Sequence, residues 1–340
     1  MQKGLMAAML LALVVIGLGA FTRLTDAGLG CPDWPGCYGH FAVPQTEAQL
    51  QHAAVHFPER PLERQKAWHE MIHRYFAGAL GLLVLALAGC ACWRKQQRGI
   101  ALLVCLLIGF QAILGMLTVT KGLMPLIVMG HLLGGFSVLA LLFCWYHRVK
   151  YPPAKPRSRI WPLVLGLAIL VLQLALGGWT SANYAAISCQ GFPLCHEDWQ
   201  QLYQLKAFDP LPHSPTGNYE FGVLSHPERV TVHVSHRIWA GVTALYWLLL
   251  AMSYLLRPSS ALERRRASRL LLVLFTQLGL GLANVWWQLP LLVAVAHNLV
   301  AALLLLSALS LLLACYQKGG ATAPREKERL YGEVEYPKLV

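Results

Sequence analysis

Long runs of apolar residues, separated by short polar segments, dominate the chain. Each run is close to the length of about 20 residues that an α-helix needs to cross the hydrocarbon core of a bilayer. The runs cover residues 5–22, 71–93, 100–120, 126–147, 160–180, 234–256, 269–288 and 290–316. The pattern predicts an all-α polytopic membrane protein with eight transmembrane helices.

The composition supports this prediction, because 56% of the 340 residues are hydrophobic and only 13% are charged. Soluble domains rarely combine such values. The first run follows Lys3 and could instead be a signal peptide. It continues into Gly19-Ala20-Phe21-Thr22-Arg23 without a convincing small-residue cleavage site, which favours a permanent span.

The net charge of +12 is distributed in a way that argues against a nucleic-acid partner and for membrane lipid as the surroundings. Lysine and arginine cluster at the N-terminus and in every second connection, around residues 94–98, 148–159, 257–269 and beyond 317. Positive residues collect on the cytoplasmic side of membrane proteins. Both termini are therefore predicted to be cytoplasmic, with long outer loops at about 24–69 and 181–232.

The chain contains an internal repeat, which predicts two tandem four-helix bundles related by a pseudo-two-fold axis. The segment Gly19–Leu24 aligns with Gly177–Ala182, and the same shift brings Cys31 and Cys37 onto Cys189 and Cys195. Further matches pair His73–Gly78 with His236–Gly241, Gln111–Gly115 with Gln277–Gly281, and His131 with His297. We call residues 1–150 the first half and 160–316 the second half. A basic cytoplasmic linker, 151–159, joins them, and a cytoplasmic tail follows at 317–340.

The stretch HEMIH, residues 69–73, matches the zinc-protease pattern H-E-x-x-H. Under the repeat, however, His73 corresponds to His236 and Glu70 to His233, whereas His69 has no counterpart. The duplicated element is the later histidine, which disfavours a zinc protease without excluding it.

Each half has two histidines at the outer ends of two different helices. These pairs are His73 with His131 and His236 with His297. Side chains on facing helices of a bundle can meet across its core, and two imidazoles on opposite sides of an iron are a common haem ligation. The alternative for a single histidine near a helix end is an ordinary hydrogen-bonded side chain, but repetition of the pair favours haem.

Three arginines and one carboxylate accompany these histidines. Arg23, Arg74 and Arg237 lie at outer helix ends, where a guanidinium can bind a haem propionate or simply reach the interface. Glu70 lies three residues before His73, and its counterpart His233 is neutral. This asymmetry indicates unequal duties for the halves, with Glu70 handling a proton or stabilising a cation. A carboxylate in the first turn of a helix is the structural alternative.

Four cysteines fall in the two long outer loops, namely Cys31, Cys37, Cys189 and Cys195. An even number on the oxidising side of a membrane favours disulfides. A four-cysteine metal site is the competing interpretation.

These motifs together resemble the haem A synthase family of respiratory membranes. The resemblance covers about residues 8–316, and its matching stretches are Thr22–Thr25, Gly28–Pro35, Glu70–Arg74, Gly177–Tyr184 and His233–Arg237. The resemblance implies a haem-dependent oxidoreductase of the bacterial cytoplasmic (inner) membrane. It would oxidise the C8 methyl group of haem O to a formyl group, by successive hydroxylations and loss of water, giving haem A for terminal oxidases.

The resemblance also implies residue roles and partners. His73 and His131 would hold the substrate haem, with Glu70 as the catalytic acid or cation stabiliser, while His236 and His297 would ligate a resident haem b. The cysteine pairs would be Cys31–Cys37 and Cys189–Cys195. Haem O synthase and cytochrome oxidase assembly would be the upstream and downstream partners, together with an unidentified electron donor.

Two other functions fit the residue pattern. A di-haem cytochrome b that transfers electrons from quinol would keep two permanent haems and make Glu70 incidental. A transporter with histidines binding a solute or protons would contain no haem, and would more typically have helices broken at mid-membrane.

Overall fold

The computed structural model describes residues 1–151, 160–195, 198–212, 214, 216–258 and 260–316. Within these residues, eight helices are long and apolar enough to cross a membrane. They are α1 (Gln2–Leu24), α3 (Arg64–Trp93), α4 (Arg98–Thr120), α5 (Pro125–Lys150), α6 (Trp161–Ala182), α8 (His226–Leu256), α9 (Ala261–Trp286) and α10 (Leu291–Ala314). The prediction of an all-α multi-pass membrane protein with eight spans is confirmed.

The spans form two groups of four. In the first group, α1 packs on α3, α3 on α4, α4 on α5, and α5 on α1. In the second group, α6 packs on α8, α8 on α9, α9 on α10, and α10 on α6. The groups meet through α1 with α10, α5 with α6, and α5 with α10. Every pairing within the first group thus has a counterpart in the second.

The first span is part of the main core. Its Leu5, Ala8 and Ala12 are buried in the cluster of apolar side chains that also contains Trp145 of α5. A removable leader would leave this side of the core open to lipid, so the packing favours a permanent helix.

Three spans begin well before their apolar runs. α3 begins at Arg64, α8 at His226 and α9 at Ala261, whereas hydropathy placed their starts at residues 71, 234 and 269. Hydropathy detects only the part of a helix that lies in lipid. The polar first turns of α8 are stabilised by a capping box between Ser225 and Glu228. His69 and Glu70 lie in the extra turns of α3, before its apolar segment begins.

The outer loops contain short helices that the hydrophobic pattern did not reveal. α2 (Glu47–His56) begins with a capping box between Thr46 and Gln49. The second outer loop contains α7 (Trp199–Leu202) and a 3₁₀ turn, Leu205–Phe208. The spacing T-x-x-Q at residues 46–49 was the sequence signal for α2. Residues 152–159 of the predicted linker and the whole predicted tail, 317–340, lie outside the described residues.

Candidate functional site

The first histidine pair meets inside the first group of helices. His73 of α3 and His131 of α5 have ring centres 6.5 Å apart, with their planes at 86°. Imidazole nitrogens bind transition metals at about 2 Å, so two imidazoles on opposite sides of one iron have ring centres roughly 6 Å apart. The observed separation matches that requirement, although the two histidines come from helices that are not neighbours in sequence.

A glycine on an adjacent helix faces each of the four histidines. A methyl group at Gly19 or Gly115 would lie 3.0 Å from Cε1 of His73 or 3.4 Å from Cε1 of His131. In the second half, a methyl group at Gly177 would lie 3.1 Å from Cε1 of His236, and one at Gly281 would lie 3.2 Å from Cε1 of His297. Each ring therefore fills the space that a larger residue would occupy.

Several of these imidazoles carry a buried polar atom that lacks a hydrogen bond. Within the described part of the chain, Nδ1 of His73, His131 and His297 has no partner. A buried nitrogen without a partner destabilises the fold unless another ligand satisfies the ring. Four imidazoles in two pairs form a donor set suited to haem iron. The residues present therefore fit one haem in each half.

Glutamines distinguish the second pair from the first. Nε2 of Gln173 lies 3.2 Å from Nδ1 of His236, and Nε2 of Gln277 lies 3.2 Å from Nε2 of His297. In the first half, the side-chain nitrogen of Gln111 is buried and makes no hydrogen bond to any described residue. The two histidine pairs thus have different hydrogen-bonding surroundings.

Glu70 is buried at the outer end of α3, with 5% of its surface exposed. Its Oε2 accepts a hydrogen bond of 2.9 Å from the main-chain N–H of Cys31, and its Oε1 accepts one of 2.5 Å from Nη2 of Arg74. The carboxylate is therefore compensated by a guanidinium and an amide, as a buried charge must be. It joins the helix that carries His73 to the first disulfide loop, residues 31–37.

Arg74 fastens the same loop. Its Nη1 donates to the main-chain oxygens of Asp33 at 2.9 Å and Pro35 at 3.3 Å, and also to that of Gly36. The planar fork of a guanidinium suits several acceptors at once. The structure thus gives Arg74 a structural duty beside the propionate binding predicted for it.

The second half repeats these contacts with a different residue in the place of Glu70. The main-chain N–H of Cys189 lies 3.3 Å from Nδ1 of His233, and Nε of Arg237 lies 3.2 Å from its Nε2. Arg237 also donates to the main-chain oxygens of Gly191, at 2.7 Å, and Cys189. A neutral imidazole accepts at only one nitrogen. His233 can therefore satisfy one of these donors at a time, whereas Glu70 satisfies both of its donors.

Both outer-loop cysteine pairs are disulfide-bonded. The sulfur atoms are 2.02 Å apart in Cys31–Cys37 and 1.99 Å apart in Cys189–Cys195. The predicted pairing is confirmed, and it removes the four thiolates that a cysteine metal site would need.

Arg23 connects the two halves. Its Nη2 donates to the main-chain oxygen of Ser181 at 2.5 Å, and its guanidinium lies 3.8 Å from the centre of the Tyr184 ring. A weaker ion pair joins it to Asp26 at 3.6 Å. Arg23 therefore lies at the boundary between the halves rather than inside either bundle.

His69, the first histidine of the HEMIH stretch, faces α1 instead of a partner histidine. Its Nδ1 lies 3.2 Å from Oγ1 of Thr25, and its ring packs edge-on against Phe21 at 4.9 Å. Glu70 turns towards the first disulfide loop. These contacts give both residues structural roles that the zinc-protease pattern does not require.

Sequence reasoning missed the glycines beside the histidines and the glutamines of the second half. The repeat alignment contained the signal, because it places Gln173 opposite Val15 and Gly177 opposite Gly19. Only the packing of α6 against α8 shows that Gln173 reaches His236.

Comparison with known proteins agrees with the geometry. The family model described as "Cytochrome oxidase assembly protein" (COX15-CtaA) matches residues 3–309. A protein of Shewanella oneidensis named Heme A synthase is 46% identical over 325 residues, covering 92% of this chain and 95% of that protein. A Heme A synthase of Sphingopyxis alaskensis is 26% identical over 332 residues, covering 89% and 88%. Another, of Shouchella clausii, is 29% identical over 203 residues, covering 55% and 61%. The chain belongs to the cytochrome oxidase assembly protein family.

Proposed function

We propose that this protein is an enzyme that makes haem A, by oxidising the C8 methyl group of haem O to a formyl group. The observation that carries the proposal is the pair His73 and His131, with ring centres 6.5 Å apart, together with the buried Glu70 on the helix of His73, which is replaced by His233 at the matching position of the second half. The relatives named Heme A synthase support the same activity.

The two halves would divide the work. His73 and His131 would hold the substrate haem in the first half, 1–150, and His236 and His297 would hold a resident haem b in the second half, 160–316. The matching helix pairings and the contact between Arg23 and Ser181, which are equivalent positions in the alignment, support a pseudo-two-fold relation between the halves.

A bound haem b would supply one-electron redox chemistry at its iron. The protein's own side chains would orient the substrate and manage protons. Arg74 and the Cys31 amide hold the Glu70 carboxylate in a fixed position three residues before His73 on the same helix. From this position Glu70 would accept or donate a proton, or stabilise positive charge, during oxidation of the methyl group.

The arginines would also bind the haem propionates. A guanidinium has five N–H donors, and the loop contacts of Arg74 and Arg237 leave some of these donors for a carboxylate. Arg23, between the halves, is placed to serve either site.

We place the protein in the bacterial cytoplasmic membrane, with both termini on the cytoplasmic side. The lysine and arginine distribution supports this orientation, and the disulfides of the outer loops fit the oxidising side. Haem O synthase would supply the substrate, cytochrome oxidase assembly would use the product, and an electron donor would complete the set of partners.

The decisive experiment is haem extraction and chromatography of the detergent-purified protein, with oxidised and reduced absorption spectra. We expect haem b together with haem O or haem A, and conversion of added haem O. We also expect His236→Ala and His297→Ala to lose the resident haem b, and His73→Ala and His131→Ala to keep it.

Other results would replace the proposal. Haem b alone, with no conversion of supplied haem O, would indicate an electron-transfer cytochrome b. If the protein contained no haem after expression with adequate haem supply, the histidines would instead be interpreted as the solute or proton site of a transporter, or as zinc ligands.

A further inference from the structure

Gln173 of α6 lies beside His236 of α8, one of the four histidines of the candidate site. Its side-chain nitrogen lies 3.2 Å from Nδ1 of His236, while its Oε1 is buried and has no partner among the residues described. The oxygen and nitrogen of an amide are nearly equal in shape and are assigned from their hydrogen bonds.

Rotating the Gln173 amide by half a turn exchanges its two ends and places Oε1 beside Nδ1 of His236. Oε1 then accepts a hydrogen bond from Nδ1–H of His236, which fixes the tautomer that leaves Nε2 free to bind iron. Histidines that bind metals almost always donate their second N–H to such an acceptor, which orients the ring and makes it a stronger donor.

The side chain at the equivalent position in the first half cannot do this. The shift that aligns Gly19 with Gly177 brings Val15 onto Gln173, and a valine side chain accepts no hydrogen bond. Nδ1 of His73 accordingly has no hydrogen-bond partner within the described ranges. The main-chain carbonyl of Val15 is close to His73 but does not meet hydrogen-bond geometry.

We propose that Gln173 is the positioning residue that keeps the second-half haem resident, and that Val15 at the matching position leaves the first-half haem exchangeable. This inference rests on the division of the halves under the proposed function. A substrate haem must enter and leave during turnover, whereas a resident haem must stay. One hydrogen bond to a ligand changes metal affinity by about 10- to 100-fold, which is enough to separate these behaviours.

The test is the substitution Gln173→Val, which gives the second half the residue that the first half has at the matching position, Val15. Two properties of the resident haem are measured without turnover: its midpoint potential, and its rate of transfer to excess apomyoglobin. We expect a higher potential, because a weaker nitrogen donor favours the ferrous iron, and transfer about 10- to 100-fold faster. Leu172→Val, on the same helix at a position 45% exposed, is the matched control and should change neither property.

Two further variants keep the test decisive. Gln173→Glu offers a stronger acceptor and should lower the potential below that of the unmodified protein, even if Gln173→Val retains no haem. Val15→Gln should slow the release of haem from the first half.

An unchanged potential and transfer rate in Gln173→Val would overturn the inference, even if haem O conversion were normal. A shifted potential in a protein that converts no haem O would instead refute the proposed function and leave the Gln173–His236 hydrogen bond established.

Discussion

Arg23 of α1 donates a 2.5 Å hydrogen bond to the main-chain oxygen of Ser181 in α6, and the two residues occupy equivalent positions in the aligned halves. Equivalent residues touch each other only near the axis that relates two copies. Burial raises the pKa of the neighbouring Tyr184 hydroxyl, and the Arg23 charge offsets part of that rise. The phenol is therefore neutral near pH 7, and Arg23 interacts with it as a cation over a ring.

Replacing this residue, Arg23→Met, should weaken the contact between the halves. A hydrogen bond from a charged group and a cation–π contact are lost, which together lower the free energy of unfolding by about 2 kcal/mol. Thermal unfolding in detergent measures the loss. Asp26→Asn is the control, because its ion pair of 3.6 Å is partly exposed and contributes little. If the two substitutions lowered the free energy of unfolding equally, Arg23 would not be a stabilising contact between the halves.

The substitution Gly177→Val should displace the imidazole of His236. Even a methyl group at this position would lie 3.1 Å from Cε1 of the ring, and valine adds two more carbons. We expect occupancy by the resident haem to fall on the order of tenfold, as for other losses of ligand orientation. The haem-to-protein ratio after purification gives the answer. Gly241→Val on α8 is the matched control, since no described atom outside its own helix lies within 4 Å of a methyl group there. Full haem occupancy in Gly177→Val would show that the glycine is not needed for the site.

The variant Glu70→Gln should keep the resident haem and lose haem O conversion by about 10²- to 10⁴-fold, the range for removal of an acid–base group. The amide keeps the volume of the carboxylate but cannot accept from both Cys31 and Arg74 through oxygen. Single-turnover conversion and the reduced-minus-oxidised spectrum separate the two effects. Normal conversion in this variant would exclude Glu70 from proton handling.

The first disulfide should become easier to reduce in Arg74→Lys. An ammonium group has one nitrogen and cannot bind the carbonyl oxygens of residues 33–36 and the Glu70 carboxylate from two separate nitrogens, as Nη1 and Nη2 of Arg74 do. We expect dithiothreitol to reduce Cys31–Cys37 faster, as followed by alkylation and mass spectrometry. The pair Cys189–Cys195 in the same molecule is the internal control and should keep its rate. Equal acceleration of both pairs would indicate general unfolding.

His69→Ala should be nearly silent for haem content and conversion. The residue contacts Thr25 and Phe21, so its removal costs about 1 kcal/mol of stability. His73→Ala is the comparison and should lose its haem ligand in the first half. Bound zinc that disappears in His69→Ala, together with peptidase activity, would restore the zinc-protease interpretation of HEMIH.

The four histidines of the candidate site could be selected from sequence, because the alignment of the two halves places histidine at the same positions twice. The alignment of His73 with His236 and of His131 with His297 named the four histidines before any distance was known. Hydropathy placed α4 and α5 within a few residues of their observed ends. It missed the outer turns of α3 and α8 and the whole of α2, since those segments lie outside lipid and are stabilised by caps and loop contacts.

The sequence by itself determined the eight helices and the two candidate histidine pairs, because these follow from span length and from the alignment of the halves, whereas the pairing of the cysteines was implied only by the resemblance. Only the tertiary structure decided which side chains meet. It brought His73 within 6.5 Å of His131, directed both oxygens of Glu70 to Cys31 and Arg74, and set Gln173 beside His236. The physical reason is that such contacts depend on the rotation and depth of each helix against its neighbours. Close packing of small and large residues sets these quantities, and a one-dimensional hydrophobic pattern does not record them.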